Sequence, residues 1–126
     1  MTLNIERIEW MPSPPLAPDD GPIDSGHLGR MTLGDTELER EVLAMFAAQT
    51  AGLMDRLQPV PCDGMMLAHT LKGSARAIGA FAVADAAADL ETLIRAGDNT
   101  DEAVSELDDA VAQARYAIED VLRGAD

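Results

Sequence analysis

The stretch "NTDEAVSELDDAVAQARYAIEDVL", residues 99–122, decides the fold. Its apolar positions Val104, Leu107, Val111, Ala114, Ile118 and Val121 recur three and four apart without a miss. That spacing belongs to an α-helix with a single apolar stripe, and such a stripe is buried only against other helices of the same kind. Asn99 or Thr100 stands where this helix starts, and Asp101 and Glu102 suit the positive end of its dipole.

Similar signals run upstream. "DTELEREVLAMFAAQTAGLMDRL" (residues 35–57) opens with Asp35 and Thr36, the latter three residues before Glu39 as in a capping box. Its periodicity predicts Leu38, Val42, Met45, Phe46, Leu53 and Leu57 on one side. "PVPCDG" (59–64) ends that helix, and Asp63 is placed to cap a third one running to Gly79. "FAVADAAADLETLIRAG" (81–97) follows, with Val83, Ala87, Leu90 and Ile94 inward and Gly97 as its stop. Ahead of all of these, Asp24 or Ser25 caps a short helix to about Met31, and Gly34 breaks the chain behind it. No strand alternation and no internal repeat are present. The expected fold is all-α: an antiparallel up-and-down four-helix bundle with a short additional N-terminal helix covering one end.

At 126 residues the chain has the length of one domain. Residues 1–22 form a flexible tail by this reading, because "PSPPLAPDDGP" (12–22) carries five prolines and no helical period; residues 23–126 form the bundle. A net charge of −14 argues against nucleic acid or anionic membrane as a partner. There is neither an apolar run of membrane-spanning length nor the order of a signal peptide, so a cytoplasmic location is expected. The single cysteine, Cys62, has no partner for a disulfide or a metal site.

Against that acidic background stands "HTLKGSARAIG" (69–79), which holds one of two histidines and the only lysine. At about 100° per residue, Leu67, Leu71, Ser74, Ala75 and Ile78 fall on one side of the helix, and His69, Lys72, Gly73 and Arg76 gather around the opposite pole. His69 is therefore expected to face solvent. From Gly64 to Ala84 there is no Asp or Glu, and the two charged residues, Lys72 and Arg76, share the histidine's face. The bland reading is a small surface patch. The sharper one is a neutral imidazole acting as nucleophile, with two cations to offset an incoming anion. Gly73, costly within an exposed helix, removes a side chain where a partner would approach. His27, in the short helix beside Leu28 with no basic cluster, reads as structural or merely exposed.

"AHTLKGSARAIGA" (68–80) resembles the phosphorylation-site helix of histidine-containing phosphotransfer (HPt) domains: His, then Leu, Lys, Gly and a small residue, with a further Gly ending the helix. The resemblance extends through "IDSGHLGRMTLGDTELEREVLAMF" upstream and "DAAADLETLIRAGD" downstream, over residues 23–122. It implies a phosphorelay intermediate in which His69 takes a phosphoryl group from a receiver-domain aspartyl phosphate and passes it to another response-regulator aspartate, Nε2 being the family's reactive atom. Lys72 would neutralise the phosphate, Gly73 would admit the receiver, and Arg76 would add an anion contact. Met65 and Met66 are candidates for receiver docking and equally for core filling. The partners implied are response-regulator receivers and a hybrid histidine kinase, with the chain itself a monomer. No cofactor is expected on this chain, since magnesium would sit on the receiver. No autonomous kinase activity is expected either, because no nucleotide-binding glycine loop is present. A binding-only adaptor that sequesters a receiver or kinase is the alternative. An independent hydrolase is disfavoured, since an acid-free window offers His69 no orienting acid.

Overall fold

The structure, a computed structural model, describes residues 21–57 and 60–124. They form five helices: α1 (Ser25–Met31), α2 (Thr36–Leu57), α3 (Gly64–Ile78), α4 (Phe81–Ala96) and α5 (Asp101–Leu122). No strand occurs among the described residues. Residues 1–20, and with them most of the expected Pro-rich tail, lie outside the described residues.

The core is mostly aliphatic. Leu43, Leu57, Leu71, Leu90, Leu107 and Ile118 are its largest fully enclosed side chains, drawn from all four long helices. Each long helix packs on two others: α2 on α3 and α5, and α4 on α3 and α5. The most extensive contact is that of α3 with α4. The buried alanines Ala68 and Ala75 on α3 and Ala84 and Ala87 on α4 suit such a close approach.

The turn between α3 and α4 is two residues long and set by a glycine. Gly79 sits at φ +88°, in the left-handed region, and Ala80 N–H donates to the Ala75 carbonyl at 2.8 Å to close the end of α3. An added Cβ at Gly79 would stand 2.9 Å from the Asp24 carbonyl oxygen. Space and backbone geometry thus both require glycine. Asp24 N–H in turn donates to the Gly79 carbonyl at 2.9 Å, which fastens the start of α1 to the end of α3. Asp24 also caps α1, its Oδ1 accepting from His27 N–H, as expected from sequence. The His27 ring bonds the Ala77 carbonyl through Nε2 at 3.2 Å and meets Phe81 edge-to-face at 5.2 Å, so His27 is structural.

Several local expectations are corrected. In α2 the buried stripe is Leu43, Phe46, Thr50, Leu53, Met54 and Leu57; Met45 is 71% exposed and Leu38 also faces solvent. Apolar residues on α2 outnumber the places its two neighbours can cover, and Thr50 takes a core position by returning its hydroxyl to the Ala47 carbonyl. No Thr36–Glu39 capping box forms. Asp35 caps instead, accepting from Leu38 N–H, while Glu39 accepts from the Thr32 hydroxyl. Asp63 makes no cap, because its carboxylate turns to Arg56 at 3.2 Å. Val121, in the last turn of α5, is exposed rather than buried, and Ser74 and Ile94 are only half-buried. The end of α5 is held from α2, where Arg40 donates to the Val121 and Leu122 carbonyls at 2.7 and 2.6 Å.

Candidate functional site

On α3 the residues Leu67, Leu71, Ala75 and Ile78 are buried, and His69, Gly73 and Arg76 are exposed, as the helical count predicts. The His69 side chain is 66% exposed. A Cβ built on Gly73 meets nothing within 4 Å, so the surface there is open. Arg76, two turns beyond His69, has no ion pair among the described residues. Met65 and Met66 face solvent rather than the core. Met66 lines a groove between α2 and α3 together with Ala48, Gly52, Arg56 and Thr70.

Lys72 departs from expectation. Its side chain is only 20% exposed, and its ammonium donates to Glu91 Oε1 at 2.8 Å. Glu91 comes from α4 and is the one buried acid among the described residues. Its other oxygen, Oε2, lies 3.1 Å from His69 Nδ1 and 3.3 Å from an Arg95 guanidinium nitrogen. The surroundings of His69 are therefore not free of acid. Residues 64–84 contain none, but the short turn folds α4 back along α3 and brings in a carboxylate twelve residues past Gly79. The expected electropositive island is a mixed cluster of His69, Lys72, Glu91 and Arg95, and the orienting acid thought lacking is present.

The Lys72 hydrogen bond, opposed by burial and assisted by His69, holds the Glu91 carboxyl below its ordinary value of 4.5. Glu91 is thus ionised at neutral pH and can only accept hydrogen bonds. It follows that Nδ1 of His69 carries the proton, and that the lone pair of the neutral ring lies on Nε2. No described residue bonds Nε2.

An outward imidazole on α3, with its tautomer fixed from behind by a carboxylate of α4, is an arrangement for accepting a group at one nitrogen. A family model described as "Hpt domain" matches residues 41–117. This chain belongs to the Hpt domain family. Hpt domains carry out histidine phosphotransfer in phosphorelays and interact there with receiver and kinase domains. The match takes in α3 and α4 whole, and with them every member of the His69 cluster. Comparison with curated proteins and with solved structures returned no match.

Glu91 and Arg95 were missed by the sequence reading. A signal for Glu91 existed: it falls four residues after Ala87 and beside Leu90, in the buried stripe of α4, where an unpartnered acid is not tolerated.

Proposed function

We propose that this Hpt domain is a phosphorelay intermediate that accepts a phosphoryl group at His69 Nε2 from a receiver-domain aspartyl phosphate and delivers it to the aspartate of another receiver. The observation that carries this reading is the 3.1 Å contact of Nδ1 with Glu91, which leaves Nε2 as the free nucleophile on an exposed ring. In the accepting step the Nε2 lone pair attacks phosphorus, the N–P bond forms, and the P–O bond to the donor carboxylate breaks. Nδ1 keeps its proton, so the ring becomes cationic and Glu91 offsets that charge. Passing the group on reverses the sequence at a second carboxylate.

In this scheme Lys72 acts chiefly by holding Glu91, and Arg76 is left as the unpaired cation on the phosphoryl side. Gly73 gives the receiver room, and Met65 and Met66 offer it apolar contact. Magnesium is supplied by the receiver. The ring of contacts among α2, α3, α4 and α5 supports an up-and-down four-helix bundle, with α1 closing one end. No described helix is long and apolar enough to cross a membrane. The proposal further takes the chain to be a monomer working in the cytoplasm.

Incubation with a phosphorylated receiver tests the proposal. Label is expected on this chain in an acid-labile, base-stable form, and absent from His69→Gln. A His69→Gln variant that still takes label would refute the assignment.

A further inference from the structure

Arg95 is out of place as a stabilising residue. Its side chain is 60% exposed, and its bond to Glu91 is an i,i+4 pair at 3.3 Å, a kind of contact that adds little to folding. Yet the oxygen it reaches, Oε2, is the one that holds His69 Nδ1. Among the described residues, Lys72 alone bonds the other oxygen.

We infer that Arg95 is a positioning residue for phosphoryl transfer, sharing Glu91 Oε2 with His69 and so limiting how strongly the carboxylate grips the ring. The inference rests on His69 being the acceptor. Its chemistry is as follows. A carboxylate on Nδ1–H favours the cationic ring, and a ring protonated at Nε2 has no lone pair to attack phosphorus. The same carboxylate favours the phosphorylated ring, which is also cationic, and so resists onward transfer. Lys72, Glu91 and Arg95 together carry a net charge of +1, and Lys72 with Glu91 alone carries none. Arg95 is thus the member that tips the cluster from holding a cationic ring towards releasing it. The groups facing the ring are Lys72 and, further along, Arg76 from α3, and Glu91 and Arg95 from α4. The helices α1 and α2, also packed on α3, place no titratable side chain in contact with His69 among the described residues.

Ring-nitrogen NMR of the full chain across pH tests this, with wild type beside Arg95→Gln and Arg95→Lys. Arg95→Gln is expected to raise the pH at which Nε2 of His69 takes its proton, because a nearby positive charge is removed. Arg95→Lys should restore most of the difference, and high salt should shrink it because Arg95 is exposed. His27, which lies away from the cluster, serves as the internal control. Phosphorylated Arg95→Gln should also surrender label to a receiver severalfold more slowly. A midpoint unmoved or lowered in Arg95→Gln would overturn the inference, and so would loss of the folded amide spectrum, which would make Arg95 structural. The titration needs no phosphate. A wild type that never accepts label sinks the proposed function and with it the transfer role of Arg95, whereas a labelled wild type with an unmoved midpoint sinks this inference alone.

Discussion

His69 Nδ1 and Glu91 Oε2 stand 3.1 Å apart, on facing helices and 22 residues apart in the chain. This contact fixes which ring nitrogen is available. Glu91→Gln replaces an obligate acceptor by an amide that can present either a donor or an acceptor, so both tautomers become accessible. Phosphoryl acceptance from a labelled receiver is expected to fall roughly tenfold or more with the fold retained. An unchanged rate in Glu91→Gln would mean that the tautomer is set by something else.

The pairing has a pH signature of known sign. Glu91 ionises more readily in the folded chain than in the unfolded one, so between the two values the unfolded state binds more protons. The stabilisation is complete above the ordinary glutamate value of 4.5 and is lost as pH falls through the lowered folded value. Urea midpoints measured from pH 7 downwards (a range set by the expected titration of about pH 4.5 and below) should therefore decline less steeply in Glu91→Gln than in wild type. Parallel curves would deny Glu91 this role.

Lys72→Ala removes the short bond to a buried carboxylate and should cost about 1–2 kcal/mol in denaturant unfolding. It should also slow transfer, because the orienting carboxylate is loosened. A variant as stable as wild type would show that Arg95 and His69 hold Glu91 without Lys72.

Gly73→Leu separates docking from folding. The site is open, and exchanging an interior helical glycine for leucine is expected to stabilise the isolated domain by about 0.5–1 kcal/mol. Affinity for a receiver should nevertheless drop. Unaltered transfer by Gly73→Leu would remove docking as the reason for this glycine.

Gly79→Ala probes the joint between α1 and α3. With φ at +88° and Asp24 in the way, destabilisation of about 1–3 kcal/mol is expected in thermal or urea unfolding. A neutral outcome would show that the turn can reshape.

The helices and their order were legible from the apolar period each carries and from the breaks between them, although not every expected cap forms. Gly79 and Gly97 both prove to be left-handed helix ends. The outward turn of His69 followed from counting around one helix. What could not be counted that way was the view across to the next helix. Residues 64–84 are acid-free as a string but not as a place, since Glu91 enters from α4. Lys72 departs from expectation for the same reason: a long side chain bends towards whatever charge the neighbouring helix supplies. The faces of α2 were blurred by a surplus of apolar residues, and Met45 lies outside while Thr50 is in the core.

In the proposed transfer, the carboxylate that selects the reactive nitrogen is anchored on a different helix from the ring it serves. Chemical competence is therefore a property of how α3 and α4 seat against each other, with hydrogen-bond lengths as the tolerance. Slippage of one helix along the other by an ångström is expected to part ring and carboxylate while leaving the helices themselves intact.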